Sequence, residues 1–174
     1  MINREQFYKK IKPLFAKLSQ DQVNGINALL DEWEGRGLTD LRQLSYILAT
    51  VYHETGKAMQ PIKEKGGEAY LKSKSYYPYY GRDLVQTTWK VNYERVKKFS
   101  GIDVVTNPDL IADLNLAVKV AIEFMLKGYY TGKKLSDYFN ATTEDWKHAR
   151  KIINGLDKAD LVASYAKVFH EAVT

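Results

Sequence analysis

Cysteine is absent from the 174 residues, so the fold closes without disulfides and the chemistry proceeds without thiols. Histidine is nearly absent too, with three copies. One of them opens a zinc-protease pattern, His53-Glu54, but the position four past His53 is Lys57, so the second ligand is missing. With so few imidazole donors and no thiolate, a zinc site is not expected. There is no Gly-Xaa-Ser-Xaa-Gly elbow and no glycine-rich phosphate loop. No apolar run reaches the ~20 residues of a membrane span, which excludes stable insertion of a helix in a bilayer. Met1 to Gln20 is charged and helix-like and lacks the apolar core of a signal peptide. The expectation is therefore a chain that stays cytoplasmic until another factor releases it. Proline occurs four times, no repeat or linker interrupts the pattern, and a single domain over 1–174 is expected.

What is present begins with charge. Lysine and arginine total 26 against 21 acidic residues, a formal charge of +5 that favours an anionic polymer such as nucleic acid or a bacterial cell wall, without choosing between them. Thirteen tyrosines and three tryptophans add a second hint. Sugar-binding clefts combine aromatic faces with phenolic hydroxyls; the plain alternative is that tyrosine fills core and surface.

The chain is organised around Leu41 to Gly56. Leu44, Ile47, Val51 and Glu54 follow the i, i+3, i+7, i+10 spacing of one helix face, so an apolar stripe ends in an acid. Gly56 supplies the stop. An apolar surround and the negative end of the helix dipole both disfavour the ionised carboxylate, which suits a general acid. The alternative is a helix-terminal glutamate turned to solvent.

Around this helix the pattern is mostly α. Asn3 caps a first helix carrying Phe7 and Ile11, with Pro13 ending it. Ser19 and Gln22 form a capping box for a second, whose face is Val23, Ile26, Leu30 and Trp33. Lys57 to Arg82 has no helical period and holds Pro61, Gly66-Gly67, Pro78 and five tyrosines, which predicts a loop with a short hairpin. Trp89, Tyr93 and Val96 resume a helix that runs to Gly101, and Asn107-Pro108 marks a turn. Leu114 to Gly128 reads as a buried helix. Ser136 caps a short turn, Thr143 opens a helix through Ile153, and a last helix spans about Ala159 to Ala172.

Candidate chemistry gathers in the irregular segment and its flanks, as a carboxylate on a helix end and others in a facing loop. Such a pair suits glycoside hydrolysis, one carboxyl protonating the leaving oxygen and the other activating water or attacking the sugar. More specific are the stretches Tyr52-His53-Glu54-Thr55-Gly56, Met59-Gln60-Pro61-Ile62 with Glu64, Tyr80-Gly81-Arg82, Val85-Gln86-Thr87-Thr88-Trp89, Asn92-Tyr93 and Ile152-Ile153-Asn154-Gly155. In order and approximate spacing these resemble glycoside hydrolase family 19, and within it the short phage endolysins and prophage lysozymes.

The resemblance implies a mainly α, lysozyme-like fold of two lobes, the smaller irregular or a β-hairpin, with a central cleft. It implies Glu54 as general acid, Glu64 as the base of an inverting mechanism and Thr88 as holder of the attacking water. Asn92 and Asn154 would bind sugar, with Gln86 and Tyr80 lining the cleft. Glu68 remains a rival to Glu64, because Gly66 to Tyr79 does not align. The family reads Gly-Arg-Gly where this chain has Gly81-Arg82-Asp83. Arg82 is a candidate partner of Glu54, His53 reads as structural, and Trp89 reads as core beside Tyr93. The implied activity is hydrolysis of the β-1,4 bonds of peptidoglycan glycan strands by a monomer that needs no metal, no cofactor and no nucleic acid partner. The alternatives are a chitinase acting on chitin oligomers and a non-catalytic wall-binding module.

Overall fold

The central helix, α3 (Leu41–Glu54), is buried on every side from Leu44 to Tyr52. A helix covered all round must satisfy its own polar side chains. Ser45 and Thr50, with Thr55 just past the helix end, do so by donating their hydroxyls back to the carbonyls four residues earlier, Leu41, Tyr46 and Val51. Asp40 caps the N-terminus through the Arg42 N–H. Each fully buried aliphatic side chain here contributes about 1.5–3 kcal/mol.

The computed structural model describes residues 1–174. Around α3 stand α1 (Arg4–Lys10), α2 (Gln20–Gly35), α6 (Leu114–Lys127) and α8 (Ala159–Val173), and their apolar faces merge into one large cluster with α8 laid along α3. Asn3 accepts from the Gln6 N–H, and Ser19 and Gln22 exchange both bonds of a capping box. A second, smaller cluster of Tyr93, Val96, Val104, Ile111, Leu116, Val120 and Phe124 fastens α5 (Lys90–Ser100) to the opposite side of α6. No helix is long and apolar enough to cross a membrane.

The smaller lobe, between α3 and α5, is the irregular alternative of the two expected. It holds no hairpin. Its only regular element is a short helix, α4 (Gly67–Lys72), and the one bridge of β type in the molecule joins Phe139 to Glu144 elsewhere. That bridge also corrects the helix expected from Thr143. After α7 (Leu135–Tyr138) the chain pairs back on itself, and only His148–Ile152 coils, as a 3-10 turn. The Asp145 carboxylate accepts from the His148 N–H and the Asn140 N–H donates to the Thr143 carbonyl, so local turns satisfy the backbone that a helix would have used.

The junction after α3 depends on close approach. Thr55 accepts the Met59 N–H on the same hydroxyl that donates to Val51, which folds the chain back over α2. There the backbone of Met59 passes so near Gly25 that a Cβ on Gly25 would lie 1.7 Å from the Met59 carbonyl oxygen. Only glycine allows that crossing.

Candidate active site

A cleft of about 460 Å³ opens where α3 ends, lined by His53, Glu54, Gly56, Ile62, Glu64, Lys65, Tyr76, Gln86 and Thr88. It thus brings together all three residues expected to be catalytic, and, of the four expected to bind sugar or line the cleft, Gln86 alone.

Glu54 arrives on the last turn of α3, fixed by the buried turns before it. Its surround is not the apolar wall the stripe suggested. Glu54 Oε1 accepts from Nη1 of Arg150 at 2.9 Å, and Arg150 is 1% exposed, with Nε donating to the Asp157 carbonyl at 2.7 Å. A cation so buried needs its partner, and the pair spans from the central helix to the 3-10 turn of His148–Ile152. Arg82 does not take this role. Its guanidinium bonds Asp109, the Pro78 and Tyr80 carbonyls and the Tyr93 hydroxyl, and it lies 3.5 Å from the centre of the Tyr80 ring. Arg150 carries no periodic signal; its only trace in the sequence is its place two residues before the Ile152–Gly155 stretch.

Glu64 stands on a segment with no regular structure, held by hydrogen bonds instead. Its N–H donates to the Gly81 carbonyl at 2.8 Å, and the Gly81 N–H returns a bond to Oε2 at 3.1 Å. The Tyr76 hydroxyl donates to Oε1 at 2.5 Å. Gln86 ties this segment to the next, its amide donating to the carbonyls of Ile62 and Asp83 at 2.8 and 3.0 Å. Gly81 admits that amide, since a Cβ there would meet Gln86 Oε1 at 2.6 Å. Lys57, Met59, Gln86 and Trp89, four of the five non-glycine residues with positive φ, lie in the two loops that frame the cleft. Such conformations cost about 1–3 kcal/mol each and persist where the surroundings impose them.

Thr88 is half-buried on the cleft wall, with a hydroxyl that has no protein partner. Asn92 braces it from behind, its amide donating to the Thr88 carbonyl at 2.9 Å while its oxygen accepts from Arg95. Asn92 is therefore buried behind the cleft rather than lining it. Tyr80 is buried too, under Arg82 and against Tyr77. Asn154 is exposed in the turn after Arg150, bonded through its backbone to Arg150 and Asp157. Glu68 lies outside the cleft on α4, paired at 3.7 Å with Lys63 and with Lys72. Trp89 is not core: it is 49% exposed, edge-on to Tyr76 at 5.4 Å.

Where the family pattern has its second glycine, Asp83 is buried and has no positive φ. Its carboxylate accepts from the N–H and the hydroxyl of Thr87 at 2.8 and 2.6 Å, and Thr87 meets the Tyr130 hydroxyl at 2.9 Å. Asp83 so organises the loop from inside. Burial pushes its carboxyl above the ordinary range, against the hydrogen bonds from Thr87. Burial also holds the His53 imidazole below its usual value, with Glu54 opposing and Arg150 assisting, so the ring beside the acid is neutral at pH 7. Lys65 is the one lysine on the cleft lining, and no carboxylate lies within 4 Å of it.

Two carboxylates held in one cleft by unlike partners, beside a free hydroxyl, can divide acid and base work on a glycosidic bond. Comparison with known proteins agrees with that chemistry. The family model of glycoside hydrolase family 19, described as chitinase class I, matches residues 44–151, a range that takes in Glu54, Glu64, Thr88, Asn92 and Arg150 and stops short of Asn154. An endochitinase of Arabidopsis thaliana is 31% identical over 115 residues, 62% of this chain and 40% of its own. A basic endochitinase of Vitis vinifera is 32% identical over 112 residues, 53% of this chain and 36% of its own. The chain thus spans less than half the length of these plant relatives. Among solved structures, chitinase C of Streptomyces griseus superposes with a TM-score of 0.69 at 19% identity, over 99% of this chain and 76% of the other. A class IV chitinase of Zea mays gives 0.60 at 19%, over 96% and 90%. At such identities the likeness is one of fold, and the fold is the mainly α, lysozyme-like one.

Proposed function

The chain belongs to glycoside hydrolase family 19, and on that premise we propose that it hydrolyses the β-1,4 bonds of an N-acetylated amino-sugar glycan with inversion. The observation that carries this is the cleft in which Glu54 and Glu64 stand with Thr88. Glu54 protonates the leaving oxygen, and Arg150 then stabilises the carboxylate left behind. Glu64 accepts a proton from a water held by the Thr88 hydroxyl, and that water attacks the anomeric carbon from the opposite face. The neutral His53 adds no competing charge beside the acid.

Within that class we propose peptidoglycan as the substrate. Its strands carry a lactyl ether and a peptide with free carboxylates on alternate sugars. Lys65, unpaired on the cleft lining, supports an anionic chain there, as does the +5 net charge at long range. The second reading is chitin, which carries no charge; it is favoured by the curated relatives, which are named as endochitinases.

Side-by-side rates on purified cell walls and chitin oligomers, with the anomer of the new reducing end read by NMR, test both levels. Wall lysis well above chitin cleavage, with an α-anomer product, is expected. Efficient chitin cleavage with intact walls would overturn the substrate, and a β-anomer product the mechanism. Thr88→Val should lose most turnover at unchanged thermal stability, and Thr88→Ser should keep much of it; a loss of stability matching the loss of activity would assign Thr88 to packing.

A further inference from the structure

We propose that Tyr76 is the positioning residue that aims the carboxylate of Glu64 at the water beside Thr88, an inference that rests on Glu64 being the base. Three observations meet at this tyrosine. Its hydroxyl donates to Glu64 Oε1 at 2.5 Å. Its ring lies on the cleft lining with Glu64 and Thr88. Its edge contacts Trp89, the residue after Thr88, with ring centroids 5.4 Å apart and planes at 72°. Tyr76 therefore touches the base with one end and the chain that carries the water-holding hydroxyl with the other.

The loop that presents it is braced from beneath. Tyr79 N–H donates to the Tyr76 carbonyl at 2.7 Å, and Trp89 N–H donates to the Tyr79 carbonyl at 2.9 Å. Arg82, buried, holds the Pro78 carbonyl at 2.8 Å and covers the Tyr80 ring. A phenol on so fixed a support can impose a direction on a carboxylate that otherwise sits on irregular chain. An ionised carboxylate offers about four lone-pair sites. Tyr76 takes one on Oε1 and the Gly81 N–H one on Oε2, which pins the plane of the group and leaves each oxygen a second site for water. Burial and the Glu64 carboxylate both hold the Tyr76 phenol in its protonated form well above the ordinary tyrosine range, so it remains a donor at any working pH.

Tyr76→Phe keeps the ring and its contact with Trp89 and removes the hydroxyl. A hydrogen bond to a charged group that also sets geometry corresponds to roughly a 10- to 100-fold change. The expected result is a fall of about that size in kcat, with KM within about twofold and the thermal midpoint unchanged. A second readout follows the phenol itself in protein labelled with Cζ-¹³C tyrosine. The signal lost in Tyr76→Phe should resist deprotonation beyond the ordinary range near pH 10 in the parent protein and titrate lower in Glu64→Gln. An unchanged kcat in Tyr76→Phe, a rise in KM alone, or a Tyr76 titration indifferent to Glu64→Gln would each overturn the proposal. Failure of the underlying assignment looks different: Glu64→Gln would then retain turnover, whatever Tyr76→Phe does.

Discussion

The two walls of the cleft are built by different means. Glu54 stands on a helix buried from Leu44 to Tyr52, where apolar packing sets the backbone and the acid inherits its position. Glu64 stands on a segment with no regular structure, where the side chains of Tyr76 and Gln86 and the backbone of Gly81 hold it by hydrogen bonds. Packing is distributed over many side chains and tolerates the loss of one polar group. Hydrogen-bond stitching concentrates the work in a few residues, each of which is felt at the site. The helical side should therefore lose stability before it loses geometry, and the loop side geometry before stability.

The chemistry itself should not see the difference. Glu54→Gln and Glu64→Gln are each expected to cut turnover by about 10²- to 10⁴-fold, with the thermal midpoint close to the parent in Glu64→Gln and lowered in Glu54→Gln, which leaves the buried Arg150 without its counter-ion. Glu68→Gln, on exposed α4, should stay within twofold. Rates on cell walls and chitin oligomers beside circular-dichroism melts measure this; an inactive Glu68→Gln with an active Glu64→Gln would move the base to α4.

Arg150→Met should break the packed side where it is most vulnerable. It leaves Glu54 without its counter-ion, at a cost of about 3 kcal/mol, the low end for a buried pair because the Glu54 side chain is 19% exposed. For a chain of this size that corresponds to a fall of roughly 6–12 °C in the melting midpoint. A midpoint that hardly moves would show the pair to be dispensable for folding.

Gln86→Ala probes the stitched side. It frees the Ile62 and Asp83 carbonyls from one amide, so turnover should fall about tenfold while stability falls by only ~1–2 kcal/mol. The opposite ratio, a large loss of stability with turnover retained, would erase the contrast between the two walls.

The smallest effect has a definite sign. Asp83 is buried with its carboxyl held above the ordinary value, so between the unfolded and folded values the native state binds more protons than the unfolded one. The stability of the parent relative to Asp83→Asn should therefore be greatest in acid, below the ordinary carboxylate value of 3.8, and decline as pH rises through the folded value. Denaturant melts of the two proteins across pH would show the reverse slope if the Thr87 hydrogen bonds outweighed burial.

The same division separates what could be read from the chain alone. Asn3, the Ser19–Gln22 box and the Leu44–Ile47–Val51 stripe were legible because caps and helix faces depend on neighbours three or four residues away. The Thr143 helix and the core placement of Trp89 were misread. At Thr143 a turn and a bridge to Phe139 satisfy the backbone locally. Trp89 sits at a left-handed φ of 76° just before α5, which turns it out of the helix face it shares with Tyr93 by spacing.

By itself the sequence determined the mainly α architecture, the helix that ends at Glu54, and the ordered stretches that mark the family. Local periodicity, capping chemistry and residue order are properties of the chain before it folds. Only the tertiary structure decided that Arg150 rather than Arg82 meets Glu54, and that Asn92 and Tyr80 support the cleft instead of lining it. It also decided that Glu64 rather than Glu68 shares the cleft with Glu54 under the hydroxyl of Tyr76. Tyr76 lies 12 residues from Glu64 and Arg150 lies 96 residues from Glu54 along the chain, and the path of a loop fixed by bonds to its neighbours is settled only when the neighbours are in place.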